Sequence, residues 1–255
     1  MTSRLDLNAD LGEHTGAPPA SALALLQVIT SASIACGGHA GDATSMRLTV
    51  TAAAALGVQI GAHPSYPDRE GFGRRVLPMP ARDVADAVAG QVRALCDVAA
   101  AVAARVEHVK PHGALYNVAC RDREIAAAVV AGILRVDTAL ALYAPHASAL
   151  WHAGAEQGMR LVAEGFLDRA YEDDGTLASR DTPGALLDDP EAAQRRAIEW
   201  ALSGRVATRS GQGLALPVET LCVHGDTPGA IAIARRVREG LEAAGVRVRP
   251  ALAGA

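Results

Sequence analysis

Lysine is nearly missing from this chain. Of its 24 Lys and Arg residues, all but Lys110 are arginine. A Walker A loop needs a Gly-Lys-Ser/Thr ending. Lys110 follows Val109, so no P-loop is present, and any Schiff-base or kinase-type lysine would have to be Lys110. Positive charge is not in excess either. The net charge of −4 argues against a nucleic-acid face built on phosphate neutralisation. Aromatic residues make up only 3%, so the core must be packed from Ala, Val, Leu and Ile. The four cysteines (Cys36, Cys96, Cys120, Cys222) show no CxxC spacing, which removes zinc-ribbon and thioredoxin readings and leaves reduced, mostly buried thiols of a cytoplasmic protein. There is no HExxH and no closely spaced histidine pair. Residues 1–13 lack the apolar stretch of a secretory signal. Residues 15–38 carry no charge, but Pro18, Pro19 and Gln27 interrupt them, so no membrane span is expected.

What is present describes a folded globular chain: 50% hydrophobic and 20% charged residues over 255 positions. No Pro/Gly-rich linker divides it, so one domain over 1–255 is expected. Seven short apolar runs, at Leu5–Ala9, Ser33–Cys36, Val58–Ala62, His108–Pro111, Ala139–Ala144, Leu161–Ala163 and Leu221–Val223, alternate with helical patterns. Residues 81–105 place Val84, Val88, Val92, Leu95, Ala99 and Val102 on one helical face. Asp189-Pro190 and Thr227-Pro228 read as helix starts, and Gly57, Gly158, Gly204 and Gly245 as helix stops.

The strand pattern distinguishes a barrel from an open sheet. Strands of an open parallel sheet are buried on both faces and read as continuous apolar runs. Here Leu5, Leu7 and Ala9 oppose Asp6, Asn8 and Asp10. Likewise Val58, Ile60 and Ala62 oppose Gln59, Gly61 and His63; Val109 and Pro111 oppose His108, Lys110 and His112; Leu221 and Val223 oppose Cys222, His224 and Asp226. With a side-chain period of two, the apolar set faces the helices and the polar set faces inward. A seven-stranded β/α barrel with a polar lumen follows. The fifth run lacks the alternation.

Ionisable residues gather where strands end: Asp10 and Glu13, His39 and Asp42, His63, Lys110 and His112, His146, Glu164 and Asp168, His224 and Asp226. Barrel enzymes keep their active sites at that rim. Asp10 and Lys110 can equally be a structural ion pair. His108 lies deeper and reads as structural, and His14 and His152 as surface or helix-packing residues. Two long loops, 63–80 and 164–190, read as functional, and Arg74-Arg75 as a possible anion contact. The glycine-rich turn from Cys36 to Asp42 could cradle an anion at a helix N-terminus. For a divalent metal, His39, His63 and Asp10 are the first candidate ligands.

Together the segments DLNADLGE (6–13), IACGGHAGD (34–42), GAHPSYPD (61–68), GFGRR (71–75), VKPHGALYN (109–117), DRAY (168–171), DGTL (174–177) and CVHGDTP (222–228) resemble the LamB/YcsF family. The resemblance implies a barrel related to those of glycoside hydrolases and polysaccharide deacetylases. It also implies ATP-coupled opening of the 5-oxoproline lactam to L-glutamate, with ATP as co-substrate and two partner subunits, B and C, of a 5-oxoprolinase. In that frame Lys110 and Arg169 would hold a carboxylate or a transferred phosphoryl group. Asp10 or Glu164 would activate water, and His63, His112 or His224 would protonate the leaving nitrogen. Glu13, His39, Asp168 and Asp226 complete the candidate set. Ala9, Gly38, Ala43 and Gly165 depart from residues common in the family, and Gly38 is expected to enlarge the pocket. A metal-dependent amidase or deacetylase working without ATP, and a non-catalytic subunit that binds small acids, are the competing readings.

Overall fold

In a computed structural model, which describes residues 4–225 and 227–252, the inner strands are β1 (Arg4–Leu11), β2 (Ser31–Ala35), β3 (Gln59–His63), β4 (His108–Val109), β5 (Ala141–Ala144) and β6 (Leu161–Phe166). An antiparallel hairpin, β7 (Arg205–Ala207) and β8 (Gly213–Ala215), precedes the seventh barrel strand, β9 (Thr220–His224). All barrel pairings are parallel, and β1 pairs with both β2 and β9, so the seven-stranded barrel closes. A short β10 (Arg247–Val248) extends the start of β1. Around the barrel lie α1 (Ala20–Leu26), α2 (Ala43–Ala55), α3 (Ala81–Ala101), α4 (Gly113–Ala119), α5 (Arg123–Leu134), α6 (Ala149–Glu156), α7 (Pro190–Ser203) and α8 (Ala230–Ala243). None of the described helices is long and apolar enough to cross a membrane. The four cysteines are free thiols, with Cys36 and Cys222 buried.

Helix ends follow local chemistry. The buried stripe of α3 is Val84, Val88, Val92, Leu95 and Ala99. Asp189 caps α7, with Pro190 at its first position and Gly204 closing it in the left-handed conformation, as expected for these residue types. Gly57, Gly158 and Gly245 likewise follow helix ends with positive φ. Thr227-Pro228 does not start a helix. Helix α8 begins at Ala230 after Gly229, because the Thr227 hydroxyl is committed to Asp168 at 2.5 Å. The Cys36–Asp42 turn is no anion cradle. Asp42 caps α2 with its own carboxylate, accepting from Ser45 N at 2.7 Å in a capping box, so the helix end already holds a negative group.

The inward faces form polar layers. At the base, the Asp6 carboxylate accepts from Thr30, Ser31 and Thr220 at 2.5–2.7 Å. Burial raises its pKa despite those bonds. Tyr143 of β5 reaches the same layer and stacks on His108, with centroids 4.0 Å apart. This explains why the fifth run shows no alternation: its inward position is a tyrosine. Above lie Asn8, Glu164, Lys110 and Cys222, and highest are Asp10, His63 and His224, with Asp10 in register with His224.

Two glycines make room for this packing. A Cβ on Gly61 would sit 2.1 Å from His108 Nε2, and the Tyr143 stack leaves His108 nowhere to retreat. Gly61→Ala is expected to cost about 1–3 kcal/mol by overpacking, read as a lowered midpoint at unchanged slope in urea unfolding. A Cβ on Gly165 would meet the Trp200 ring at 2.5 Å, so its absence lets that indole seat against the barrel and donate to Leu216 O at 2.7 Å. Ala9 packs outward into the helix layer, away from the lumen. Gly38 does not widen the pocket. The space beside it is filled by Gln91 and Ser65, whose side-chain and backbone groups bond reciprocally at 2.8 and 3.0 Å.

Candidate active site

Lys110 lies at the centre of the barrel, and its side chain is 2% exposed. Its ammonium contacts Asp10 Oδ1 at 2.5 Å, Asn8 Oδ1 at 2.9 Å and Glu164 Oε1 at 3.1 Å. Asp10 and Glu164 engage it as ion-pair partners, and Asn8 accepts a hydrogen bond from it. Cys222 Sγ stands a further contact away at 3.2 Å. Burial opposes the charge, but Asp10, Cys222 and Glu164 outweigh it and hold the lysine well above its ordinary pKa. The ammonium is thus already engaged by the chain's own groups, while Lys110 also borders the cavity lined by Asp10, His63 and His224. Glu164 is equally enclosed. It is fully buried and accepts from Tyr116 at 2.8 Å and Asn8 at 3.1 Å, which leaves it no path to a water in the cavity. Asn8 and Tyr116 carry no charge to single them out in the sequence, although both stand inside its most specific segments.

Asp10 links this charge cluster to the histidines. Its Oδ2 lies 3.3 Å from His63 Nε2 and 3.9 Å from His224 Nε2. Burial pushes its pKa up, but His63 and Lys110 more than reverse this, so it is held well below the carboxylate range. His224 is oriented from behind by Asp168, whose oxygens lie 2.9 and 3.0 Å from Nδ1. The His224 backbone N–H and the Thr227 hydroxyl also donate to Asp168. Burial disfavours the imidazolium, yet Asp168 and Asp10 raise its pKa above the ordinary value. Burial also acts against the charge of Asp168, but His224 and these hydrogen bonds lower its pKa.

A second group gathers on the other side of Asp10. The Nδ1 of His63 donates to Lys110 O at 2.7 Å, and the Nε2 of His112 donates to Phe72 O at 2.9 Å. The remaining nitrogens of these two rings face each other at 3.0 Å. His39 stacks on His112 with centroids 3.7 Å apart, and its Nε2 meets Glu13 Oε1 at 3.1 Å. Burial lowers the pKa of His39 to about 3 and drives that of His112 down as well. Donor atoms of Glu13, His39, His63 and His112 all lie within 4.8 Å of one another. Of the ligands expected for a metal, His39 and His63 stand in this group with Glu13 and His112, whereas Asp10, although 3.3 Å from His63, groups with Cys222 and His224. The 63–80 loop seals this group. A Cβ on Gly73, at φ 64°, would strike His39 and His112.

Both groups border one cavity of about 530 Å³. Asp10, His63 and His224 line its floor, and Arg74, Arg121, Arg169 and Arg180 its walls. Arg169 donates to Ala178 O at 2.6 Å, while its Nε is buried without a partner among the described residues. Burial and Arg180 lower its pKa. Arg74 lies 5.0 Å over the Phe72 ring, whereas Arg75 turns away to pair with Asp68. The Arg74-Arg75 pair thus divides, one toward the cavity and one into the loop. His146 is exposed beside Trp151 and Asp42 caps its helix, so neither joins the site. Asp226 lies outside the described residues. From sequence, the wall arginine Arg180 carried no signal beyond the length of the 164–190 loop, and Arg121, just after α4, carried none.

The LamB/YcsF family profile matches residues 5–254. A protein of Chloroflexus aggregans, named as the A subunit of 5-oxoprolinase, is 49% identical over 246 residues, 96% of this chain and 98% of that protein. One of the same name from Azoarcus sp. is 48% identical, with 95% of each chain covered. The crystal structure of a lactam utilization protein from Thermus thermophilus superposes with a TM-score of 0.90 at 41% identity, covering 96% of this chain and 99% of that one. A closed seven-stranded barrel carrying these segments at its rim, matched over nearly its whole length, belongs to the LamB/YcsF family.

Proposed function

We propose that this chain is the A subunit of an ATP-dependent 5-oxoprolinase, opening the five-membered lactam of 5-oxoproline to L-glutamate in the cytoplasm together with subunits B and C. The cavity carries this reading: four arginines face an acid–histidine floor, a charge arrangement suited to a small anion whose amide must be opened. Arginine recognises carboxylate and phosphate oxygens through paired N–H donors, and the walls supply such groups for the substrate carboxylate and for a transferred phosphoryl group.

A lactam is resonance-stabilised. Transfer of the γ-phosphoryl group of ATP to the lactam oxygen makes the ring carbon electrophilic. Water adds there, the C–N bond breaks as the nitrogen takes a proton, and a second water releases the phosphate. Asp10 Oδ2, between His63 and His224, orients the attacking water. His224, held protonated by Asp168, delivers the proton from Nε2. Lys110 positions Asp10 rather than substrate. Without a P-loop in this chain, the nucleotide is held by, or shared with, the partner subunits.

The test is 5-oxoproline-dependent ATP hydrolysis, with glutamate measured alongside, for this chain alone and mixed with candidate B and C subunits. Glutamate formation only in the complete mixture is expected. Hydrolysis of an amide by this chain alone without ATP would replace the proposal with a stand-alone amidase. Turnover of the complex unaffected by Asp10→Asn and His224→Gln would reduce the chain to a subunit that binds small acids.

A further inference from the structure

We propose that Glu13, His39, His63 and His112 form a binding site for one divalent transition-metal ion, at the edge of the reaction cavity. His63 and His112 each spend one ring N–H on a backbone carbonyl, at 2.7 and 2.9 Å. A neutral imidazole has only one N–H. The nitrogens left over, His63 Nε2 and His112 Nδ1, are then two lone pairs facing each other at 3.0 Å. In that state the contact repels, and one metal ion beside the two nitrogens satisfies both; a proton shared between them is the competing arrangement, and metal titration decides between the two. The carbonyl bonds are the same outer contacts that fix ring tautomer and direction in histidine metal sites.

The surrounding atoms suit a metal. Glu13 Oε1 lies 3.1 Å from His39 Nε2 and 3.6 Å from His112 Nδ1. Bonds of about 2.1 Å in tetrahedral geometry put neighbouring ligands about 3.4 Å apart, close to these separations. Three imidazoles and one carboxylate favour ions of the Zn²⁺ and Co²⁺ class over Mg²⁺ or Ca²⁺. Asp10, 3.3 Å from His63, adds a second negative charge beside the site. One movement is required. A metal lies in the plane of each imidazole that binds it, so His39 must tilt out of its parallel stack on His112. Its Nδ1 has no hydrogen-bond partner among the described residues to resist this.

The test is titration of the chelator-treated full chain with Co²⁺, followed by Zn²⁺ competition. One equivalent of Co²⁺ with the visible absorption of a tetrahedral ion is expected, displaced by Zn²⁺. His39→Ala, Glu13→Gln and His112→Gln should each weaken binding by at least about tenfold, with circular dichroism confirming a folded chain. His146→Ala, an exposed histidine outside the group, should leave it unchanged. Absence of one-to-one binding tighter than about 1 mM, or equal affinity in the three folded site variants and wild type, would overturn the proposal. The titration uses neither 5-oxoproline nor partner subunits, so its failure and the failure of the proposed activity are read separately.

Discussion

Lys110→Ala is expected to destabilise the fold by about 3–5 kcal/mol, the range for breaking a buried ion pair from one side, and to abolish turnover. The substitution removes the central cation from Asp10 and Glu164, 4% and 0% exposed, and leaves Glu164 without an ion-pair partner among the described residues. Asn8 would lose a donor to its carbonyl oxygen as well. Lys110→Arg should fail nearly as badly. A planar guanidinium with five donors is wider than an ammonium, and Cys222 at 3.2 Å together with the surrounding barrel leaves no space for it. Urea unfolding measures the first effect as a lowered midpoint. Recovery of stability as pH falls should follow in Lys110→Ala, because protonating a carboxylate removes the unpaired charge. A midpoint shift worth less than about 1 kcal/mol, within the range of an exposed pair, would show that the central cluster does not hold the barrel together.

The second large effect falls on His224. Replacing it by Gln removes the proposed proton donor and should lower kcat of the reconstituted complex by about 10²–10⁴-fold, the usual contribution of a positioned acid. The wild-type rate should fall as pH rises through the elevated pKa of His224, since only the imidazolium donates. Asp168→Asn keeps the ring but removes the charge that raises this pKa, so that limb should move to lower pH. Stability follows the same sign. The His224 contribution is complete below its unfolded pKa of about 6.5 and is lost as pH rises through the higher folded value. The Asp168 contribution is present above its unfolded pKa of about 3.9 and is lost as pH falls through the lower folded value. A wild-type kcat in His224→Gln would end the assignment.

The barrel was legible because alternation is a local property. Asp6, Asn8 and Asp10 share a strand face whatever surrounds them. The fifth strand concealed its inward face because Tyr143 counts as apolar in a pattern while its hydroxyl reaches the polar base. The β7–β8 hairpin and β10 went unread; their apolar content is too slight to mark a strand. Sixth-strand pairing carries on past the short apolar run through Glu164 to Phe166, so Glu164 is a barrel residue and not a loop residue. Thr227 misled for a related reason: a threonine before proline looks like a helix cap until a carboxylate 59 positions earlier claims its hydroxyl.

By itself the sequence determined the class of chain: a polar-lumened barrel, one lysine, and acids and histidines delivered to one rim. Those conclusions need only residue type and a period of two. Which of these groups meet was decided by closure. Pairing of β1 with β9 places Asp10 beside His224, and the parallel neighbours β3 and β4 bring His63 to His112. Closure also surrounds Lys110 with three oxygens from different residues of β1 and β6, making it the internal counter-charge of Asp10. Contacts of about 3 Å between residues roughly 100 positions apart, such as Lys110 with Asn8, follow from strand order and register, which no local pattern contains.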